Sequence, residues 1–268
     1  MGEVSPMVLT ALRWAIVLAF LAIAARRPIA AGWANVKRQW PAVLAMGAGG
    51  YTAFNALYFT AAHHTSAVNL SIIQGALPIF VLLGALALHR TPIRLGQGLG
   101  MLITLVGIAV VASKGDLHTL AGLKFNIGDI MVLACCVLFA GFTLALRGRP
   151  GAASVAFFTG LAIAAFTTSL PLVALEAATG GLQWPTLKGW LLLLYIGILP
   201  TALAQMAYMK AVELIGPGRA GLFINLVPVF GAIMAVVILH EPFGLHHAAA
   251  LALVMAGILL AETSARRV

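Results

Sequence analysis

Acidic residues and cysteines are scarce in this chain of 268 residues. It has seven Asp and Glu residues and two cysteines, and 9% of its residues are charged, against about 25% in a soluble domain. The acids lie near the ends of apolar runs, which disfavours a buried carboxylate relay and an intramembrane aspartyl protease. Cys135 and Cys136 point about 100° apart on a helix, which disfavours a disulfide. We therefore expect no enzyme.

Apolar residues dominate what remains. They make up 62% of the chain, and the mean hydropathy is +1.05. Each apolar run has about the 20 residues that a helix needs to cross a bilayer. The sequence therefore predicts an all-α polytopic membrane protein with nine spans, at roughly 6–25, 41–62, 67–88, 95–113, 128–146, 153–176, 188–209, 217–239 and 246–264.

The basic residues, which give a net charge of +9, lie between the spans rather than in one patch. If the 26–40 loop is cytoplasmic, the outer loops hold only Lys114, Lys124 and Lys188, and Arg13 lies within a span. Positive charge concentrates on the cytoplasmic side of membrane proteins. We predict an inner-membrane, multi-pass protein with a cytoplasmic C-terminus and no affinity for nucleic acid.

Residues 40–108 recur at 190–258 with a constant offset of 150. Five spans separate equivalent spans, and an odd number predicts copies of opposite orientation, an inverted repeat. The first copy is one helix short, so we expect nine helices of a ten-helix plan, with the first helix absent. The predicted division is 1–113 as first repeat, 114–127 as outer linker and 128–268 as second repeat. The matching pairs include Trp40/Trp190, Gly47/Gly197, Tyr58/Tyr208, Pro78/Pro228 and Gly107/Gly257.

Two equivalent helices carry polar stripes at helical spacing. We predict that both line a central cavity, although hydrogen bonds between helices, worth roughly 0.6 kcal/mol each, would explain them too. The stripes are Tyr51, Asn55, Tyr58 and Thr201, Gln205, Tyr208.

Two amides, one residue out of register with each other in the repeat, lie three or four residues before a proline that both copies share. Gln74 lies before Pro78 and Asn225 before Pro228. Proline frees a backbone carbonyl in the preceding turn, so each amide either satisfies that carbonyl or binds substrate beside a hinge at the proline.

Arg13 is a cation inside a span, and Trp14 is a weaker candidate beside it. Arg13 either ties helix ends near the interface or contacts a substrate carboxylate. His63 and His64 close the outer end of their span. They are interfacial polar residues or an outer gate, and adjacent histidines without further partners predict no metal site.

Several of these segments carry a family resemblance. Ser5-Pro6-Met7 to Ala11-Leu12-Arg13-Trp14, Tyr58 to Pro78, and His240-Glu241-Pro242 resemble the drug/metabolite transporter superfamily, EamA-type branch. Glu241 fits the family pattern and Thr91, at the equivalent position, departs from it. His63-His64 is similar to amino-acid exporters of the YddG type.

The resemblance implies export of small metabolites, amino acids first, by alternating access around a cavity between inverted repeats. Another solute in the same fold, such as a drug-like compound or nucleotide sugar, is one alternative. A non-transporting assembly or lipid-flipping partner is the other. We expect a monomer in the lipid bilayer that binds a small-molecule substrate without a cofactor or metal.

Overall fold

The computed structural model describes residues 3–152, 154–227, 230–231, 233–234, 237 and 244–266. Nearly all of them are helical. Among them, seven helical segments are long and apolar enough to cross a membrane, which confirms a polytopic helical membrane protein. These are Pro6–Ala24, Ala67–His89, Leu95–Ala112, Ile127–Leu146, Val155–Ala178, Leu187–Ile215 and Leu245–Ser264.

Two of the nine predicted spans, 41–62 and 217–239, are not among these seven segments. Residues 40–61 are helical throughout, but their glycines, tyrosines and asparagine make the stretch less apolar than the seven. Part of 217–239 lies outside the described residues. The number nine, and the ten-helix plan behind it, therefore stay predictions.

The helices of the first half are α1 Pro6–Ala24, α2 Arg26–Arg38, α3 Trp40–Gly47, α4 Phe54–Ala61, α5 Ala67–Gly75, α6 Leu77–His89, α7 Leu95–Ala112 and α8 Leu117–Ala121. Those of the second half are α9 Ile127–Leu146, α10 Val155–Ala178, α11 Leu187–Ile196, α12 Ala204–Ile215, α13 Pro217–Ile224 and α14 Leu245–Arg266. Two π-helical segments, π1 Ala48–Ala53 and π2 Gly197–Leu203, join α3 to α4 and α11 to α12.

Local sequence explains where many helices begin and end. The hydroxyls of Ser66, Ser154 and Thr186 each accept a hydrogen bond from a backbone N–H in the first turn of the following helix. Such caps satisfy donors that a helix start leaves free. Helix α6 ends at His89 because Arg90 adopts the left-handed conformation, with φ of 49°.

The chain forms two compact units. Unit 1 comprises Met1–Phe59 with Ala145–Leu214, and unit 2 comprises Thr60–Leu144 with Ile215–Val268. Each unit combines parts of both predicted repeats. The division into 1–113, 114–127 and 128–268 describes sequence similarity and stays a prediction.

In unit 1, α1 packs on α10 and on α11–π2, and α3 packs on α10. Glycine permits the closest approaches. A Cβ on Gly47 would lie 2.8 Å from the Leu161 carbonyl oxygen, and a Cβ on Gly197 would lie 2.8 Å from Ile16. The fully buried side chains here include Trp14, Phe157, Phe158, Leu161 and Leu193.

In unit 2, α7 packs along most of its length against α14. Gly100 faces Gly257 and Gly107 faces Ala250, so residue numbers rise along one helix as they fall along the other. The two helices are therefore antiparallel. Helix α6 packs on α13, where Gly218 lies against Leu82.

Candidate functional site

Arg13, Trp14 and Tyr51 form a buried cluster in unit 1. The Trp14 and Tyr51 rings are stacked, with centroids 4.6 Å apart and an interplanar angle of 29°. Phe158 closes another side, with its centroid 6.3 Å from that of Trp14. The Cζ atom of Arg13 lies 5.5 Å from the Trp14 ring centroid, a cation–π distance.

Two nitrogens of this cluster lack acceptors. Among the described residues, Nε of Arg13 and Nε1 of Trp14 are buried without any hydrogen-bond partner. Trp14 is 1% exposed, and Arg13 is partly buried as a residue. A buried donor without a partner costs about 1–3 kcal/mol. Two of them on neighbouring residues are unusual, because native proteins satisfy most buried polar groups.

The π-helical segment π1 places Tyr51 in this cluster. The Tyr51 carbonyl, within this segment, accepts a hydrogen bond from the Asn55 amide at 2.5 Å. In π2 the Thr201 hydroxyl donates to the Ile196 carbonyl at 2.7 Å. Pro200 lies in π2 and has no N–H to complete an α-helical ladder. Single π turns inside α-helices occur frequently at functional sites.

The two predicted stripes therefore divide by environment. Tyr51 and Thr201 are buried, whereas Asn55, Tyr58, Gln205 and Tyr208 are partly buried. Asn55 and Thr201 use their polar groups on backbone carbonyls of their own helices. The Tyr58 ring stacks on Phe54 at 6.0 Å. Lining of a cavity by these side chains stays a prediction.

The remaining predicted residues lie in unit 2. The Asn225 amide donates to the Gly75 carbonyl at 3.1 Å, a tie between α13 and α5, and Gln74 is partly buried. Pro78 is in the first turn of α6, directly after the break between α5 and α6. His63 and His64 are exposed. Pro228 lies outside the described residues.

The sequence did not predict how α1 is anchored. The Glu176 carboxylate, on α10, accepts a hydrogen bond from the Ser5 hydroxyl at 2.6 Å and from the Met7 and Val8 N–H groups at 3.2 Å each. A carboxylate suits a helix N-terminus, where backbone donors are free and the dipole is positive. This contact fixes α1, and thereby Arg13 and Trp14. The Ser-Pro helix start signals a cap site but not its distant partner.

Met209 and Phe158 also belong to the cluster and were not predicted. The Tyr51 hydroxyl donates to the Met209 sulfur, 3.9 Å away. Both residues look like ordinary core residues in an apolar run, so only their position in the fold reveals them. Over the described part of the chain, no three His, Cys, Asp or Glu side chains cluster as metal ligands.

The helical architecture and its apolar spans define a polytopic membrane protein. The chain matches the EamA-like transporter family over residues 1–113 and 126–263, and it belongs to that family.

Curated relatives are also transporters by name. The chain is 26% identical over 204 residues to the uncharacterized transporter YetK of Bacillus subtilis, covering 74% of this chain and 60% of the relative. It is 24% identical over 234 residues to the uncharacterized transporter YyaM of the same species, covering 85% and 75%. The chain thus spans well under two thirds of YetK. A solved crystal structure of a protein has the same fold, with a TM-score of 0.78 and 24% identity over 99% of this chain and 90% of the other.

Proposed function

We propose that this protein exports small metabolites, amino acids first, across the inner membrane, with its C-terminus in the cytoplasm. The observation that carries the proposal is the pair of buried, unpartnered donors on Arg13 and Trp14. A carboxylate can accept from both, and its charge would offset the guanidinium. The faces of Trp14 and Tyr51 supply apolar surface beside it.

The wider polar surroundings favour a zwitterion over a simple anion. Tyr208, Gln205 and Asn55 are partly buried on the adjoining helices of the same unit. Hydroxyl and amide oxygens are acceptors that suit an ammonium group. No acidic residue lies centrally in the described spans of unit 1, which disfavours a purely cationic solute.

We further propose that the two sequence copies form an inverted repeat. Under the offset of 150, Gly100 corresponds to Ala250 and Gly107 to Gly257. Replacing each residue by its equivalent in the other copy turns the contact Gly100–Gly257 into the contact Gly107–Ala250. A two-fold axis that relates the two copies requires this exchange. The Asn225–Gly75 bond joins two positions that are themselves 150 apart. Alternating access would follow from tilting at the helix break before Pro78.

A binding experiment tests the site. The purified protein is screened by thermal shift against amino acids, and against the matching amines that lack the carboxylate. Arg13→Gln is expected to weaken binding roughly 10- to 100-fold, because a charge-assisted hydrogen bond contributes about 1.5–3 kcal/mol. Trp14→Phe keeps the ring and removes Nε1, with a smaller loss. Arg90→Gln and Trp184→Phe, both outside the cluster, are the matched controls.

Transport is then measured for every hit, as efflux from proteoliposomes. If the amines shift the melting temperature as much as the amino acids, the carboxylate assignment is wrong. If no small metabolite moves across the bilayer, the proposed export is wrong, whatever binds.

A further inference from the structure

Helix α2 lies between two spans and is amphipathic. It has no acidic residue, and its basic residues are Arg26, Arg27, Lys37 and Arg38. On one side, Gly32 and Val36 pack against α10: a Cβ on Gly32 would lie 2.6 Å from Ala156, and one on Gly160 would lie 2.6 Å from Val36. A short basic amphipathic helix held against a bundle lies in the membrane interface.

A groove of about 450 Å³ opens beside this packed face. Its walls come from the end of α1, from α2 and from the start of α10, all within unit 1. Nearly all of its lining is apolar, and Arg26 is the single charged residue in it. The lining includes Leu18, Ala22, Ile29, Trp33 and Ile163.

The charge around the groove is of one sign. Asn35 on α2 and Gln39, the residue directly after α2, hold the 147–150 loop by hydrogen bonds to the Pro150 carbonyl, at 2.7 and 3.2 Å. That loop adds Arg147 and Arg149 to the basic residues of α2. The acids described in unit 1 are elsewhere: Glu3 and Glu176 at the opposite end of α1, and Glu213 paired with Lys210.

We propose that this groove binds an anionic phospholipid, with one acyl chain between α1, α2 and α10 and the phosphate at Arg26. An apolar groove inside the bilayer accepts an acyl chain of any lipid. The guanidinium at its rim, with Arg27 next to it and four further cations at the other end of α2 and in the 147–150 loop, selects a phosphate-bearing headgroup of net negative charge. Arg26 Nε donates to the Ala22 carbonyl at 2.6 Å, which leaves its two terminal amino groups to donate to the headgroup. Trp33 also lines the groove, and tryptophan is a residue type enriched at membrane interfaces.

Trp33 also provides the measurement. The protein is reconstituted in phosphatidylcholine vesicles that contain either brominated phosphatidylglycerol or brominated phosphatidylcholine, and tryptophan quenching is recorded. Subtracting the signal of Trp33→Phe isolates Trp33. We expect the anionic lipid to quench Trp33 at several-fold lower mole fraction. Removing charge by Arg26→Gln or Arg27→Gln should reduce the preference roughly fivefold per charge.

Two further variants keep the test decisive. Ala30→Phe fills the groove without changing charge, and it should weaken quenching by both lipids even if Arg26→Gln misfolds. Arg90→Gln removes one basic residue of unit 2 and should leave the quenching of Trp33 unchanged. Equal quenching by both lipids in the unaltered protein would overturn the proposal, as would full quenching in Ala30→Phe. Competition by millimolar inorganic phosphate would show a soluble-anion site instead. None of these outcomes depends on transport.

Discussion

One buried polar cluster in each unit differs from the other in how fully its hydrogen bonds are satisfied. In unit 2 the Asp129 carboxylate, 1% exposed, accepts hydrogen bonds from the Thr65 hydroxyl, the Asn69 amide and the Asn126 N–H. In the described part of unit 1, Arg13 and Trp14 keep buried nitrogens without acceptors. Unit 2 uses its polar side chains to join helices, and unit 1 leaves two donors available to a solute. That difference is why we place substrate binding in unit 1.

The difference between the two clusters is informative because a buried donor without an acceptor costs free energy. A fully satisfied buried network rigidifies the fold, and a partly satisfied one is destabilising. A protein that keeps unsatisfied donors loses stability unless a ligand supplies the acceptor. We therefore expect substitutions in the Asp129 cluster to lower stability, and substitutions at Arg13 and Trp14 to weaken substrate binding with little loss of stability.

The largest effect is expected from Asp129→Leu in unit 2. The substitution removes the acceptor of the partly buried Thr65 hydroxyl, and it leaves the buried Asn69 amide with the Lys124 carbonyl alone, at a cost of about 3 kcal/mol. Arg13→Met in unit 1 removes a guanidinium whose buried Nε has no hydrogen-bond partner, so the free energy of unfolding should stay constant or rise. The buried thiols of Cys135 and Cys136 report unfolding directly, through a thiol-reactive dye during a thermal ramp.

Loss of helix is measured by circular dichroism at the same temperatures. This control distinguishes unfolding from a local change that exposes only the thiols. A loss of stability in Arg13→Met equal to that in Asp129→Leu would show that Arg13 is a structural tie, the alternative that its sequence position leaves open.

The second effect concerns the helix pair of unit 2. A Cβ on Gly100 would lie 2.4 Å from the Gly257 carbonyl oxygen, and a backbone atom cannot move aside easily. We expect Gly100→Ala to cost about 1–3 kcal/mol. Gly98 lies two residues away, and a Cβ there would meet nothing within 4 Å. Gly98→Ala should be neutral or slightly stabilising in the same thermal assay. Equal melting temperatures for the two variants would contradict close packing of α7 on α14.

Much of this fold could be predicted from sequence because apolar length and glycine placement act locally. The run 128–146 became α9, and the stop at His89 followed from the residues around it. The equivalence of Gly47 and Gly197 came from the offset alone, and both proved to be sites of close helix approach.

The π-helical segments and the distant cap could not be predicted. The segment π1 contains Gly49-Gly50 and π2 contains Pro200, but these residues also occur in ordinary helices and do not by themselves signal a π turn. Glu176 is 171 residues from Ser5 along the chain, so no local pattern joins them. The spacing of Tyr51, Asn55 and Tyr58 assumed a regular α-helix, whereas π1 includes Tyr51 and ends before Asn55.

The third effect compares one ion pair from each unit. Arg219 and Glu262 form a salt bridge in unit 2, with side chains 32% and 10% exposed. Lys210 and Glu213 form one on α12, 3.0 Å long, with side chains 54% and 52% exposed. Double-mutant cycles to alanine should give a coupling of about 1 kcal/mol for the first pair and below about 0.5 kcal/mol for the second. Added salt should weaken the second coupling more, because its charges are more exposed. Equal coupling energies for the two pairs would contradict the expected dependence on burial.

The smallest effect is expected in the short helix α8 of unit 2, whose stability should depend on pH through Asp116. The Thr119 hydroxyl and the His118 N–H donate to the Asp116 carboxylate at 2.7 and 2.8 Å, and these hydrogen bonds lower the pKa of Asp116. Because the folded pKa is depressed, the stabilisation is present above the unfolded pKa and is lost as pH falls through the folded value. Hydrogen exchange in 117–121, corrected for intrinsic rates, should be flat from neutral pH downward and rise below about pH 4. Asp116→Ala should exchange faster at neutral pH and lose that dependence, while amides of α9 stay protected in both proteins. A rise of the same size in Asp116→Ala would mean that another group controls the loop.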